Sequence, residues 1–236
     1  MPIAAGETIP KATMDAIAWA LNSVRGRGVM QTMKVAASVV ADLSFDWRHG
    51  TSTLRRVDAD DFGAVGDNLA HSEDYKATKA RPLWSLLRSL DLPRTRGFVD
   101  LGAGKGRVLL IAALYGFRKI VGVEFSPKLC ECARRNIQIF KERRRVSVEI
   151  DIVESDAAAY PIQPDQDVFF MFNPFDEVVM AQVLANLRRS AEIAPRKVWL
   201  IYNTPIQHEL IAKTGIFCDQ SYRNIGGTNF RVYANR

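Results

Sequence analysis

The sequence predicts an α/β protein built on a doubly wound, seven-stranded sheet, mostly parallel, with a C-terminal antiparallel hairpin and an N-terminal helical extension. From about residue 80, short β-like runs alternate with amphipathic helical segments, which is typical of a parallel sheet with helices on both faces. The last two β-like runs have no helix between them and enclose Gly226 and Gly227, which favours an antiparallel pair. Three closely spaced glycines after the first strand indicate a sharp turn into the next helix.

The N-terminal part of the chain has a different pattern. Apolar residues recur at helical spacing in residues 12–24 and again in residues 30–43, so both segments are expected to be helical. Residues 44–67 are polar and contain glycine, which indicates a loop. We therefore divide the chain into an N-terminal helical extension or lid over residues 1–70 and a main domain over residues 71–236.

Each element of the main domain is predicted from its own pattern. The strand-like runs are short, rich in Val, Ile, Leu and Phe, and bounded by glycine, proline or charged residues. The helical segments carry apolar residues three or four positions apart. Strands are expected over residues 98–101, 120–123, 146–153, 168–172, 198–202, 217–223 and 229–233. Helices are expected over residues 83–90, 107–115, 128–142, 178–193 and 206–213.

Composition and charge limit the classes of function. The 236 residues are 47% hydrophobic and 25% charged, which is ordinary for a globular protein and excludes disordered, collagen-like and coiled-coil classes. The net charge of +6 favours an anionic partner, such as nucleic acid, an acidic protein surface or a nucleotide cofactor. The basic run at residues 141–145 lies at a predicted helix end, where solvated cations favour the helix dipole. The four tryptophans show no regular interleaving with basic residues.

Three cysteines and three histidines are too few and too scattered for a disulfide framework or a zinc site, so no metal is expected. The first ten residues lack the basic region of a secretory signal. No run approaches 18 uncharged apolar residues, so we expect no membrane span. These features predict a cytoplasmic protein with reduced thiols. They leave the oligomeric state open.

The glycine-rich turn carries the strongest chemical signal. Gly102, Gly104 and Gly106 lie between a buried strand and a helix, at the edge of an open α/β sheet where ligands bind. The dinucleotide fingerprint is G-x-G-x-x-G, whereas this turn is G-x-G-x-G and has Arg107 where the third glycine would stand. Asp100 precedes the turn, and its carboxylate suits a cationic amino group but would repel a pyrophosphate.

A second acidic residue follows at the end of the next strand. Glu124 lies 22 positions after Gly102, where an acidic side chain hydrogen-bonds ribose hydroxyls and disfavours a 2′-phosphate. With Asp100 it predicts a nucleoside ligand that carries a positive charge.

With these motifs, residues 75–236 resemble the class I S-adenosylmethionine-dependent methyltransferases. The resemblance rests on acidic-x-Gly-x-Gly-x-Gly at residues 100–106, on Glu124 as the ribose ligand, and on Asp156, which family members use near the adenine amino group. It implies a Rossmann-like fold, S-adenosylmethionine as cofactor and methyl transfer as the activity.

The segment after the fourth strand resembles the Asn/Asp-Pro-Pro-Phe/Tyr motif of amino methyltransferases, with one proline fewer. By that resemblance Asn173 accepts a hydrogen bond from the target amine, Pro174 leaves its carbonyl for the same purpose, and Phe175 stacks on the target. Asn173 then belongs to both the catalytic and the cofactor-binding residues. The implied acceptor is an amine nitrogen.

A second resemblance is to the seven-strand histone-lysine methyltransferases of the telomeric-silencing-disruptor type. It is carried by Tyr75-Lys-Ala-Thr78, by Phe-Val-Asp-Leu-Gly at residues 98–102 and by Gly-Val-Glu at residues 122–124. By this resemblance Tyr75 and Thr78 close over the methionine part of the cofactor, and the acceptor is a protein lysine. A small-molecule amine remains the other acceptor.

Two alternatives from other classes stay open. The first is a non-catalytic adenosylmethionine-fold module that binds another molecule, such as RNA, and it predicts salt-sensitive binding without methyl turnover. The second is an NAD-dependent oxidoreductase, which the glycine spacing and Asp100 disfavour.

Overall fold

The structure, a computed structural model, describes residues 26, 28–54, 77–172 and 175–235. The chain divides into two compact units, Met1–Leu43 and Ser44–Arg236. The helices are α1 Val29–His49, α2 Ala80–Ser89, α3 Arg107–Tyr115, α4 Pro127–Arg144, α5 Glu177–Ile193 and α6 His208–Lys213. The strands are β1 Gly97–Leu101, β2 Lys119–Glu124, β3 Glu149–Glu154, β4 Gln166–Phe172, β5 Trp199–Asn203, β6 Asp219–Ile225 and β7 Thr228–Ala234.

The seven strands form one sheet in the order β3-β2-β1-β4-β5-β7-β6. Strands β1 to β5 pair in parallel, while β7 pairs antiparallel with both β5 and β6. The predicted Rossmann-like doubly wound sheet and its C-terminal hairpin are therefore confirmed. The strand order reverses between β1 and β4, and this switch point is where open α/β sheets bind ligands beyond the carboxyl ends of their strands.

Helices cover both faces of the sheet because alternate strand residues point to opposite sides. On one face Phe98, Phe170 and Ile201 lie in a cluster with apolar side chains of α2, α3 and α4. On the other face Val99 and Phe169 lie in a second cluster with side chains of α5 and α6. Strand β1 is buried along its whole length, so the end of β1 emerges at the centre of the domain.

Several element boundaries differ from the sequence prediction, and three of them have a clear structural context. Helix α1 continues to His49 instead of giving way to a loop at Ser44, because the His49 ring packs on Phe140, with 5.4 Å between ring centroids. Strand β3 begins at Glu149 rather than residue 146 because Arg145 adopts a left-handed conformation that ends α4. Helix α6 likewise begins at His208, later than predicted.

The predicted helix over residues 12–24 lies outside the described residues. Within the described part of the chain, no helix combines the length and the apolar character needed to cross a membrane. The same residues contain no group of three or more His, Cys, Asp or Glu side chains placed to hold a metal ion.

Candidate cofactor site

The glycine-rich turn lies between β1 and α3 at the carboxyl edge of the sheet. Gly102, Gly104 and Gly106 all have positive φ angles, of 85°, 53° and 81°, a conformation that residues with a Cβ rarely adopt. The backbone N–H groups of Gly102 and Ala103 both donate to the Val123 carbonyl oxygen at 2.9 Å. These bonds hold the turn against the end of β2.

Glu124 joins the turn directly to the second strand. Its Oε2 atom accepts from the Gly104 N–H at 2.8 Å, and its Oε1 atom accepts from the Ser126 N–H at 3.0 Å. Burial raises the pKa of the Glu124 carboxyl, although these backbone hydrogen bonds oppose the effect. Glu124 therefore shapes the glycine-rich turn through both of its carboxylate oxygens.

Asp100 is the buried carboxyl group of the turn whose charge is least compensated. Its side chain is 2% exposed, and its Oδ2 atom accepts no hydrogen bond within the described residues. Burial raises the pKa of Asp100 well above its ordinary value, and the nearby Glu124 carboxylate raises this pKa further. A buried acceptor of this kind is stabilised by a cationic ligand, which satisfies the lone pairs and neutralises the charge.

A fourth glycine, Gly122 in β2, allows the turn to pack closely. A Cβ at this position would lie 2.7 Å from Leu109, 2.8 Å from Ala103 and 2.9 Å from Ile152. In the sequence, Gly122 was noted only as part of the Gly-Val-Glu motif at residues 122–124, although a glycine inside a strand is also a signal of close approach.

Arg107, the first residue of α3, is held by a segment that sequence reasoning treated as a loop. Its side chain is 2% exposed, and its Nη1 atom donates to Thr53 Oγ1 at 2.7 Å and to Asp46 Oδ1 at 3.3 Å. Its guanidinium carbon lies 4.6 Å from the centroid of the Phe45 ring. Arg107 stands where a dinucleotide-binding motif has its third glycine. Its contacts therefore anchor the start of α3 to residues 45–53, which lie outside the glycine-rich turn.

The Asp46 carboxylate organises this segment. It accepts the Thr51 hydroxyl at 2.9 Å, the Thr53 hydroxyl at 2.6 Å and the Thr53 N–H at 2.8 Å. It also accepts the Leu54 N–H at 3.0 Å. With Arg107, these donors make Asp46 a fully engaged carboxylate at the end of α1. No sequence signal connects Asp46 with Arg107, since 61 residues separate them.

Asn136 makes a second connection between the same segment and the turn. Its Oδ1 atom accepts from the Ser52 N–H at 2.9 Å, and its Nδ2 atom donates to the Lys105 carbonyl oxygen at 3.0 Å. Asn136 is 4% exposed and lies among the apolar residues of α4. A polar residue within an apolar helix stripe is the signal that could have identified it.

The structure describes some of the other predicted site residues. Asp156 follows β3, and its Oδ1 atom accepts from the Ala158 N–H at 2.8 Å, so it stabilises its own turn. The Ser155 N–H donates to the Glu124 carbonyl at 3.0 Å and brings this turn next to the end of β2. Thr78 is buried just before α2. Tyr75, Asn173 and Pro174 lie outside the described residues.

Phe175 lies after β4 and packs against the apolar cluster of α5 and α6. Its carbonyl oxygen accepts from Gln207 Nε2 at 3.1 Å. This bond fixes the orientation of the Gln207 amide, and its Oε1 atom is buried without a partner among the described residues. The Gln207 Oε1 atom, beyond the carboxyl end of β5, is therefore an acceptor for which residues 77–172 and 175–235 supply no donor. Sequence reasoning did not identify Gln207.

The comparisons with known proteins agree with this geometry. Residues 98–192 match the family model described as a methyltransferase domain. The chain is similar to the solved structure of the yhhF protein of Escherichia coli, with 15% identity, a TM-score of 0.54, and coverage of 73% of this chain and 90% of that one.

A second similar structure is the precorrin-6y C5,15-methyltransferase of Geobacter metallireducens, with 17% identity, a TM-score of 0.50, and coverage of 75% of this chain and 95% of that one. At these identities the likeness shows the fold alone. No curated protein sequence matches the chain.

The sheet has the Rossmann-like topology of the methyltransferase fold, and residues 98–192 within it match the methyltransferase domain model. Together with the site they support methyl transfer with S-adenosylmethionine as the cofactor. The residues present fit this cofactor, because Asp100 offers a buried carboxylate to a cation and the glycine turn leaves room for close approach. Asp100, Glu124 and the three glycines are the residues that would hold it.

Proposed function

We propose that this protein transfers a methyl group from S-adenosylmethionine to an amine nitrogen, either of a small molecule or of a protein lysine. The observation that carries the transfer itself is the buried Asp100 carboxyl, whose Oδ2 atom has no partner within the described residues. The amine acceptor is supported by the sequence Asn173-Pro174-Phe175 after β4 and by Gln207, whose amide contacts Phe175 and whose Oε1 atom has no partner among the described residues. An N–H group is the donor that such oxygens need.

S-adenosylmethionine supplies an electrophilic methyl group on a positively charged sulfur. The protein has to place the lone pair of the acceptor in line with the S–CH₃ bond, at about 3 Å, so positioning carries much of the rate. A lysine acceptor, with an ordinary pKa of about 10.4, must first lose a proton, and an apolar pocket lowers its pKa by desolvation. We propose that Asn173 and the Pro174 carbonyl orient the amine, with Phe175 against its face.

The cofactor would be enclosed by residues from both sides of the turn. We propose that Glu124 binds the ribose hydroxyls, that Asp156 lies near the adenine amino group, and that Tyr75 and Thr78 cover the methionine part. The burial of Thr78 directly before α2 is consistent with such a cover. A protein lysine is supported by the resemblance to the histone-lysine enzymes that carries Tyr75 and Thr78.

The first experiment follows labelled methyl groups from S-adenosylmethionine into a fractionated cell extract, with protein, RNA and small-molecule pools counted separately. Label recovered as methyl-lysine after acid hydrolysis of one protein band supports a lysine acceptor, and label in a small amine supports the metabolite. Label confined to RNA contradicts both forms of the proposal.

The variant Asn173→Ala tests the orienting residue. We expect turnover to fall far more than the affinity for S-adenosylmethionine, because the amine loses its contact while the cofactor keeps Asp100 and Glu124. An equal loss of turnover and affinity would make Asn173 a cofactor ligand only. Asn224→Ala, at an exposed position of the edge strand β6, is the matched control.

The two alternatives from other classes give different results. An oxidoreductase would bind NAD in preference to S-adenosylhomocysteine, whereas the buried Arg107 occupies the place where a dinucleotide-binding turn has its third glycine. A non-catalytic module would bind S-adenosylhomocysteine, yet transfer no label into any pool. Calorimetric titration with both ligands, run beside the labelling, separates these cases.

A further inference from the structure

Two helix ends that are far apart in the sequence meet on the surface of the second unit. Helix α1 ends at His49 and helix α4 ends at Arg144. The Arg143 Nη1 atom donates to the Trp47 carbonyl oxygen at 3.3 Å, which joins the last turns of the two helices. The basic run of residues 141–145 therefore lies next to Trp47 and Arg48. We call Trp47, Arg48, Arg143 and Arg144 the basic–aromatic surface.

The positive charge of this surface is not neutralised by the acids beside it in sequence. The three arginines are exposed, and none of them takes part in an ion pair recorded within the described ranges. Asp46 is engaged by Arg107 and by the segment of residues 51–54. Glu142 accepts a hydrogen bond from Gln138 at 3.0 Å. The guanidinium groups are thus available to an external anion.

The pKa of the buried His49 side chain shows the effect of these positive charges. This pKa is lowered to about 4, first by burial and then by the positive charges of Arg144, Arg48 and Arg143. Among the described residues, the Asp46 carboxylate acts in the opposite direction and raises this pKa. Three arginines from two helices therefore lower the pKa of the same histidine. This is expected where positive charges are concentrated on one surface, rather than carried by separate solvated side chains.

Trp47 is the feature that helix-end charges do not explain. Basic residues in the last turn of a helix stabilise its dipole, so the arginines alone have a local reason. The Trp47 side chain is 80% exposed, although tryptophan is among the most buried residues on average. The helix ends joined by the bond from Arg143 to the Trp47 carbonyl thus carry an exposed indole, which offers a flat apolar face, and exposed guanidinium groups, which can bind anions.

We propose that the basic–aromatic surface binds single-stranded nucleic acid, with a base stacked on Trp47 and the arginines on neighbouring phosphates. Stacking of unpaired bases on aromatic side chains within a positive groove is how proteins bind single strands without reading their sequence. An acidic protein segment would use the arginines but would leave the indole without a planar partner. A duplex would offer phosphates but no unpaired base. Binding needs no cofactor, so it does not depend on the proposed methyl transfer.

The experiment measures fluorescence anisotropy of a labelled 12-nucleotide single-stranded RNA of mixed sequence with the whole protein, in 50 and 200 mM salt. Three phosphate contacts predict a slope of log affinity against log salt of about −2, hence a loss of about 20-fold over this fourfold change in salt. Trp47→Ala should weaken binding by about five- to a hundredfold, because it removes one stacking contact. The salt slope should stay unchanged in this variant.

A charge reversal separates this surface from the net charge of the protein. Arg143→Glu/Arg144→Glu should weaken binding at least about tenfold and flatten the salt slope. The matched control, Arg189→Glu/Lys213→Glu, makes the same change in net charge at exposed positions of α5 and α6 and should leave binding nearly unchanged. Thermal melting of every variant confirms folding. If the charge reversal unfolds the protein, Trp47→Ala still tests the surface, because it keeps all three arginines.

Three results would overturn the proposal. Equal weakening by both charge reversals would assign binding to net charge alone. Unchanged binding in Trp47→Ala would remove the stacked base. Tighter binding of a polyglutamate peptide than of RNA with the same number of charges would assign the surface to an acidic protein.

Discussion

Asp100→Asn is the substitution whose effects on stability and on cofactor binding should have opposite signs. In the protein without ligand, the Asp100 carboxyl is buried next to Glu124, and its Oδ2 atom is unpaired within the described residues. Asparagine keeps the shape, removes the ionisable group and can donate to a neighbouring carboxylate. The variant should therefore be more stable without ligand and bind S-adenosylmethionine more weakly.

The magnitudes follow from ordinary contributions of buried polar groups. An unsatisfied buried group destabilises by about 1–3 kcal/mol, and in a protein of this size each kcal/mol shifts Tm by about 2–4 °C. We expect Tm without ligand to rise by about 2–12 °C. A hydrogen bond to a charged group contributes about 1.5–3 kcal/mol, so the affinity for S-adenosylmethionine should fall by about 10- to 100-fold.

The assay combines differential scanning calorimetry of the ligand-free protein with isothermal titration of S-adenosylmethionine and S-adenosylhomocysteine. Asp151→Asn is the matched control, since Asp151 is an exposed aspartate on β3, and neither quantity should change. A variant that is less stable without ligand would refute the assignment of Asp100 as a strained, ligand-directed carboxyl. Wild-type affinity in a stable Asp100→Asn variant would refute its role toward the cofactor.

Three further predictions concern the supports and the charge of the site. Asp46→Ala leaves the buried Arg107 without its carboxylate partner and should lower the free energy of unfolding, measured with urea, by about 3–5 kcal/mol. The double variant Asp46→Ala/Arg107→Met should recover part of this loss. Gly122→Ala should destabilise by about 1–3 kcal/mol, because its Cβ would meet three side chains within 2.9 Å; in contrast, Gly215→Ala has open space and only its positive φ of 66° as strain. Burial raises the pKa values of Asp100 and Glu124, whereas a cationic ligand favours the ionised forms of both carboxyl groups. Binding of S-adenosylmethionine should therefore release protons, and the affinity should increase as pH rises through these raised pKa values. Titration calorimetry in two buffers of different ionisation enthalpy measures this release, and affinity that is flat with pH would contradict the prediction.

The same raised pKa values determine how stability without ligand depends on pH. The unfolded carboxyl groups lose their protons at lower pH than the folded ones, so stability is greatest below the ordinary aspartate and glutamate pKa values and falls as pH rises through the raised folded values. This contribution should be smaller in Asp100→Asn.

The sequence predicted the order of strands and helices in the main domain because its local patterns are clear. Helix α3 was predicted over the residues it occupies, since a glycine precedes it and Gly116 ends it with a left-handed φ of 116°. The hairpin of β6 and β7 followed from Gly226 and Gly227. Asp100, Glu124 and the glycines were also predictable, because their spacing alone indicates the edge of the sheet where a ligand binds.

The remaining parts depend on contacts between residues that are distant in sequence. The end of α1 was predicted as a loop because Ser44 and Asp46 are polar, yet these residues stay helical while Phe45 and His49 contact Arg107 and Phe140. Nothing local indicates that Gln207 supports Phe175, which lies 32 residues earlier. The periodic spacing of hydrophobic residues gives no information about contacts between residues that are distant in sequence.

The connection between Asp46 and Arg107 also bears on how the chain is assembled during synthesis. Translation proceeds from the N-terminus at about 5–20 residues per second, so the carboxylate emerges roughly 3–12 seconds before the guanidinium 61 residues later. During that interval, residues 51–54 are the described side-chain partners of Asp46 that have already emerged. A chain that started at residue 55 would begin α3 with a desolvated arginine and no carboxylate beside it. The shortest fragment able to fold as the second unit should therefore start near Ser44, about 30 residues before the part that resembles methyltransferases.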